Sequence, residues 1–118
     1  MHMIKLSIVV GLLLFLGFQV FSQNKSDVIT SEELRGAVVV DVRSPSEFAA
    51  GHFDKAINIP LDILGEQGKK LASEKRPIVV YCRSGRRSEA AKKLLQSMGV
   101  SAKNGINQGH LEKLLRKS

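Results

Sequence analysis

Cys82 is the only cysteine of the 118-residue chain, and it closes an apolar run and opens a basic turn. The segment reads Pro77-Ile78-Val79-Val80-Tyr81-Cys82-Arg83-Ser84-Gly85-Arg86-Arg87-Ser88, and residues 88–98 carry a helical pattern. A strand that ends in a thiol, followed by a tight loop and a helix start, surrounds the sulfur with backbone N–H groups and the positive end of a helix dipole. Arg83, Arg86 and Arg87 set three guanidiniums beside it. Each of these favours thiolate over thiol and attracts anions. A cysteine with a pKa of about 8.5 is only roughly 3% ionised at pH 7, whereas a drop of two units makes it about 75%. The pattern suits a nucleophilic sulfur acting on an anion. It argues against the other common fate of a lone cysteine, burial as a small apolar side chain, because three arginines cannot be desolvated beside it without partners.

The flanking sequence supplies elements to hold such a loop. Residues 37–42 (Ala-Val-Val-Val-Asp-Val) form a β-branched run broken only by Asp41, as expected of a strand covered on both faces. Ser44-Pro45-Ser46-Glu47 is a capping box with proline at the first helical position, and predicts a short helix ending near Gly51. Val28-Ile29 is a short strand candidate, residues 31–35 a capped helical turn closed by Gly36, and residues 56–59 a strand stopped by Pro60. Residues 61–72 have a helical pattern weakened by Gly65 and Gly68. Residues 77–81 are the strand feeding Cys82. In residues 88–98, Ala90, Ala91, Leu94, Leu95 and Met98 make an apolar helix face that Gly99 terminates. A strand over 103–106 and a helix over 110–117 complete the pattern. Short apolar strands alternating with helices predict an α/β domain with a small, mainly parallel five-stranded sheet flanked by helices. In such sheets ligands sit beyond the carboxyl ends of the strands, where Cys82 falls.

The first residues are a different object. Residues 1–5 carry a positive charge, residues 6–21 are almost wholly apolar, and Ser22-Gln23-Asn24-Lys25-Ser26 turns polar. This is the build of a secretory signal peptide, with Val20 and Ser22 suiting a cleavage site, so residues 1–22 are expected to be removed, give or take three. The apolar run is shorter than the ~20 residues of a spanning helix; an uncleaved anchor is the alternative. The remainder, residues 23–118, reads as one domain with its core over about 28–115, exported and without stable membrane insertion. The chain has 18 basic and 11 acidic residues, and losing the leader removes one lysine and no acid, leaving +6 of the +7 net charge. The lysines are scattered, aromatic residues are few and no nucleic-acid-binding motif occurs, so the surplus reads as solubility and attraction for small anions. A single cysteine can form no internal disulfide, so an exported chain that keeps one is expected to use it.

Two stretches carry a resemblance. Asp41-Val42-Arg43-Ser44-Pro45-Ser46-Glu47-Phe48, then Gly51-His52-Phe53 and Ala56-Ile57-Asn58-Ile59-Pro60, resemble the D-x-R, E-F/Y, G-H-I and A-x-N-I-P signature of rhodanese domains. Cys82 to Ser88 resembles their C-x-x-G-x-R-S active loop, and the likeness extends over nearly all of residues 28–115. The small size and leader are similar to those of the single-domain periplasmic thiosulfate sulfurtransferases. The resemblance implies that Cys82 attacks the outer sulfur of thiosulfate, expels sulfite and becomes a persulfide, whose sulfur passes to a thiol or to cyanide. Arg83, Ser84, Gly85, Arg86, Arg87 and Ser88 would then bind the substrate, with the arginines holding the dianion and stabilising charge on departing sulfite. Neither a metal nor an organic cofactor is implied, and the domain is expected to act as a monomer. A persulfide carrier or anion-binding module serving a partner protein is the rival of another class.

Cysteine-nucleophile phosphatases use a loop with five residues between cysteine and arginine; here four separate Cys82 from Arg87, which fits a sulfurtransferase better. Asp41 and Arg43 are expected to form a buried pair or to hold loops, and Glu47 to partner Ser44 in its capping box. His52 and Asn58 read as hydrogen-bonding struts, and Tyr81 as packed on the sheet. The chain departs from the family pattern at Asn107-Gln108-Gly109-His110-Leu111, where His110 replaces the second of two glycines and the usual later tryptophan is absent. That loop often borders the active-site mouth, so His110 bears on access and acceptor choice.

Overall fold

The computed structural model describes residues 28–117; the leader expected over residues 1–22 lies outside them. Among the described residues no helix is long and apolar enough to cross a membrane. The chain runs through α1 (Ser31–Arg35), β1 (Val38–Asp41), α2 (Pro45–Ala49) and β2 (Ile57–Asn58). It continues with α3 (Leu64–Gln67), set between two 3-10 segments, then β3 (Ile78–Cys82), α4 (Arg86–Ser97), β4 (Ala102–Asn107) and α5 (Gln108–Arg116). The sheet has the order β2-β1-β3-β4, and every pairing is parallel.

Register follows from what each face must cover. Val38, Val39 and Val40 stand opposite Ile78, Val79 and Val80, and Asp41 stands opposite Tyr81. Successive side chains alternate between faces. Val38, Val40, Ile78, Val80 and Cys82 pack with Leu64, Leu71, Ala91 and Leu95 beneath α3 and α4. Val39, Val79 and Tyr81 pack with Ile29, Leu34, Phe53 and Leu111 beneath α1 and α5. Both central strands are thus buried on both faces, which explains their continuous apolar sequence.

The differences from expectation have local causes. Val28-Ile29 forms no strand, so the sheet has four strands among the described residues where five were expected. Ile29 is buried beside Leu34 instead, and Thr30, ahead of the helix, caps α1 by accepting from the Glu33 N–H at 3.0 Å. The helix expected over residues 61–72 breaks into a 3-10 turn at Leu61–Ile63, the single turn α3 and a 3-10 stretch at Gly68–Ser73. Gly68 lies against Leu64 and Leu95 so closely that a Cβ there would come within 3.1 Å of the Leu95 side chain. Its glycine therefore serves close packing on α4 at the expense of helix propensity. Helix α4 begins two residues earlier than expected, at Arg86, and its Ala90 is exposed rather than part of the apolar face.

Strand β4 contains an irregularity that matters for the site. Val80 pairs with Asn104 but Cys82 pairs with Asn107, so one extra residue is accommodated around Gly105 and Ile106. Gly105 presses between Val79 and Leu111, where a Cβ would come within 2.8 Å of both side chains. Ile106 takes φ +69, a left-handed conformation that a β-branched residue adopts only under constraint.

Candidate active site

Cys82 ends β3 and is 2% exposed, so the sulfur is buried, contrary to the expectation from its arginine neighbours. The chain leaves it through Arg83 and Ser84, turns at Gly85 with φ +94, and enters α4 at Arg86. This turn folds the start of α4 back over the sulfur. The Gly85 N–H donates to Cys82 Sγ at 3.1 Å and the Ser88 N–H at 3.3 Å, with the Ser88 hydroxyl also at 3.3 Å. The first N–H groups of a helix lack intrahelical acceptors, so they are free for this use. Burial pushes the Cys82 thiol up. The Ser88 hydroxyl and the N–H groups of Ser88, Gly85 and Ser84 outweigh it and leave the thiol below its ordinary value. The result is a buried sulfur that ionises more readily than an ordinary thiol.

The three arginines do not converge on the sulfur as expected. Arg83 and Arg86 project as exposed side chains on the loop. Arg87 is turned to Glu47, with Nη1 to Oε1 at 2.8 Å and Nη2 to Oε2 at 3.0 Å. This two-pronged bond raises Arg87 above its ordinary value. Glu47 is held well below the usual carboxylate range, first by Arg87 and then by the Ser44 N–H. The capping box at Ser44 is present as expected, and its glutamate has this second role across the site. Backbone donors and the Ser88 hydroxyl are the main groups that lower the thiol, and Arg87, though bound to Glu47, also attracts the sulfur electrostatically.

Asp41 and Arg43 form the expected pair, with Asp41 fully buried and Arg43 partly so. Asp41 accepts from Arg43 Nη2 at 2.7 Å and from Arg43 Nε at 2.9 Å, and Arg43 Nη2 also donates to the Gly51 carbonyl at 2.7 Å. The Tyr81 hydroxyl donates to Asp41 at 2.9 Å and accepts from the Phe53 N–H at 2.9 Å. One network therefore ties the ends of β1 and β3 to the segment that holds residues 51–53. With Asp41 fully buried, removing Arg43 would strand a carboxylate at a cost of roughly 3–5 kcal/mol. His52 stacks on Phe48 with ring centroids 3.6 Å apart and bonds the Phe48 carbonyl through Nδ1 at 2.9 Å, a strut. Asn58 donates to the carbonyls of Asp41 and Arg43, both at 3.0 Å. His110 is exposed and lines a surface cavity of about 470 Å³ with Asn104, Ile106 and Glu89.

Asn104 is a site residue that sequence reasoning missed. It accepts from the Ser88 hydroxyl at 2.7 Å and donates to the Gly85 carbonyl at 3.0 Å, reaching both residues whose groups bond Cys82. The available signal was a polar residue within a strand, followed by a glycine of the kind that marks a bulge. Among the described residues no group of three or more His, Cys, Asp and Glu side chains comes together as a metal site.

A family model for the rhodanese-like domain matches residues 26–114. The chain belongs to the rhodanese-like domain family. It is 41% identical over 63 residues to thiosulfate sulfurtransferase PspE of Escherichia coli, covering 52% of this chain and 61% of that protein. It is 37% identical over 70 residues to a tRNA uridine(34) hydroxylase of Buchnera aphidicola, covering 55% of this chain and only 22% of the relative. A solved rhodanese with anions from E. coli superposes with a TM-score of 0.58 at 33% identity, covering 63% of this chain and 89% of that one. The rhodanese fold, with a parallel sheet between helices and the single cysteine at a strand's carboxyl end, is thereby established. The relatives differ in activity, so the substrate has to be argued from the loop.

Proposed function

We propose that this rhodanese-like domain is a sulfurtransferase that moves sulfane sulfur from thiosulfate to a thiol or cyanide through a persulfide on Cys82. The observation that carries the reading is the sulfur's cradle. Donors at 3.1 Å and 3.3 Å from Gly85 and Ser88 favour the thiolate, the form that acts as nucleophile. The Cys82 thiolate attacks the outer sulfur of thiosulfate, the S–S bond breaks, and sulfite departs with the bonding electron pair. In the second step an acceptor thiolate or cyanide attacks the outer persulfide sulfur, and the electron pair returns to Cys82. The same N–H groups that hold the resting thiolate stabilise it again as the leaving group. Exposed Arg83 and Arg86 attract the dianion, and the activity of the E. coli thiosulfate sulfurtransferase supports the donor.

Arg87 favours a second reading, in which Cys82 stores sulfur for a partner protein. Its guanidinium is held by Glu47 in the resting structure, which withdraws one cation from donor capture. The deciding experiment is the intact mass of the protein before and after thiosulfate, beside Cys82→Ser. Gain of one sulfur atom, absent in the variant and released on every cycle by cyanide, supports the transferase. A single loading that cyanide discharges poorly supports the carrier, and no gain refutes thiosulfate as donor. We also propose export, supported by the pattern of residues 1–22 and the single cysteine. The mass of protein recovered from the periplasm would show removal of residues 1–22, give or take three; an intact N-terminus would leave the anchored alternative.

A further inference from the structure

Just before the bulge in β4, Asn104 sets a saturated carboxamide against Ser88, which bonds the sulfur. Asn104 Oδ1 accepts from the Ser88 hydroxyl at 2.7 Å and from the Ile106 N–H at 2.9 Å. Its Nδ2 donates to the Gly85 carbonyl at 3.0 Å and to the Glu89 carboxylate at 3.2 Å. A side-chain amide has two donors and two lone pairs, so every position is used. The Ile106 N–H and the Gly85 carbonyl also fix which end is oxygen.

Ser88 has one hydroxyl proton and two claimants for it. Asn104 Oδ1 stands at 2.7 Å and Cys82 Sγ at 3.3 Å. While the sulfur is uncharged, the nearer oxygen is the better acceptor, and Ser88 Oγ can itself accept from the thiol. When the sulfur carries charge, an O–H bond to it becomes the stronger choice. Asn104 then still accepts from Ile106, so its oxygen is not left unpaired.

We propose that Asn104 is a positioning residue for the Cys82 sulfur: it holds the Ser88 proton while the sulfur is uncharged and yields it when the thiolate forms. The step is a rotation of one O–H bond. The proton stays on Ser88, and no bond to sulfur is made or broken. A persulfide leaves Sγ without charge, so loading turns the Ser88 O–H back towards Asn104 and discharge turns it to the sulfur again. The inference rests on the reading of Cys82 as the working nucleophile. Other charges bearing on the sulfur are Arg83 and Arg86 on the loop, Arg87 with Glu47 from α2, Glu89 with Lys92 on α4, and Asp41 with Arg43 at the end of β1. The Asn104 substitutions below remove one contact of Glu89, the 3.2 Å bond from Asn104 Nδ2, and they do so equally with and without Ser88.

The test is the pH dependence of Cys82 alkylation by iodoacetamide in the wild type, Asn104→Ala, Ser88→Ala and the double variant. Removing Asn104 also loosens Gly85, in either background. Only the competition for the proton requires Ser88. The change in midpoint caused by Asn104→Ala is therefore expected to be lower, by about 0.5–1 unit, with Ser88 present than without it, a three- to tenfold difference in the thiolate equilibrium. Equal changes in both backgrounds, or the opposite sign, would overturn the proposal. Melting curves report whether each variant folds. Should Asn104→Ala fail to fold, Asn104→Asp carries the test, because it keeps an acceptor for Ser88 and adds negative charge. It is expected to raise the midpoint, and an unchanged or lowered midpoint would overturn the proposal. Alkylation reads the thiolate whatever the sulfur donor, so failure of thiosulfate to load Cys82 would leave this result standing.

Discussion

Replacing Gly85 with alanine tests whether one backbone conformation holds the sulfur's cradle together. Gly85 sits at φ +94 and ψ −6, where an L-residue costs roughly 1–2 kcal/mol. An added Cβ would come within 3.2 Å of Ile106 Cγ2 and 3.6 Å of its Cα. Ile106 cannot readily swing away, because its own φ of +69 is already a constrained one. Against this, alanine loses less backbone freedom on folding, which returns about 0.4–1 kcal/mol. With the crowding at Ile106 added, the net loss is about 1–2 kcal/mol, a fall in Tm of roughly 5–15 °C for a domain of this size. The chain has one escape. It can rotate the peptide out of the left-handed region, but this swings the Gly85 N–H away from Cys82 Sγ, 3.1 Å away in the native turn. A donor to a charged group is then lost, and the thiol pKa rises by about one unit. Urea or thermal unfolding measures the first outcome and the pH midpoint of Cys82 alkylation the second. The two trade off, so a variant that keeps its stability must show the raised midpoint. If Gly85→Ala changed neither, the turn would not be what aims the donor. Gly85→Asn serves as a control, since asparagine tolerates this region better and both effects should shrink.

Two further substitutions probe the site's flanks. Glu47→Gln keeps a side chain able to complete the capping box but removes the charge that Arg87 faces at 2.8 Å. The KM for thiosulfate is expected to fall by up to about fivefold, the ceiling for a partly exposed pair, with kcat unchanged; a higher KM would mean that Glu47 holds Arg87 in its working position. Tyr81→Phe tests the buried network by pH. Burial, with help from Asp41, pushes the Tyr81 phenol up to about 12. A folded value above the unfolded value near 10 means the phenol's contribution is whole below pH 10 and is lost as the pH rises towards 12. Between pH 9 and 11 the wild type should lose about 1.4 kcal/mol that the variant does not. The variant starts lower at neutral pH, by about 1–3 kcal/mol, because the Phe53 N–H loses its acceptor. Parallel losses in urea titrations of the two proteins would refute the assignment.

What the sequence made legible was local. The capping box spans residues 44–47 and closes on itself, so Ser44 and Glu47 announce it without tertiary information. Cys82 at the end of an apolar run, with glycine and a helical pattern behind it, placed the sulfur at the sheet's carboxyl end. The illegible contacts join residues far apart in the chain. Arg87 meets Glu47 across 40 residues, and nothing near Arg87 indicates that its charge is already taken. Asn104 meets Ser88 and Gly85 across 16 and 19 residues, contacts set by the pairing of β4 with β3 that local propensity does not encode. Residues 61–72 show the reverse error. Their apolar spacing is helical, yet Gly68 is there to let the segment lie on Leu95, and packing overrode the period.

The burial of Cys82 and its ionisation look opposed, and their reconciliation bears on the chemistry. A thiolate held by free guanidiniums would need to sit near the surface, since burying unpaired arginines costs more than a thiolate gains. Backbone N–H groups carry only partial charge and already lack partners at a helix start, so they can be buried with the sulfur. The loop therefore divides the work. Gly85 and Ser88 stabilise the sulfur from inside, while Arg83 and Arg86 remain solvated outside, free to meet an incoming anion. Attraction of the donor should then depend on salt, whereas the thiolate fraction should not, because screening acts on exposed charges and scarcely on buried hydrogen bonds. An arrangement with all three arginines around the sulfur would couple the two. The structure separates Arg83 and Arg86 from that task, and Glu47, by pairing with Arg87, weakens the one guanidinium that still acts on the sulfur.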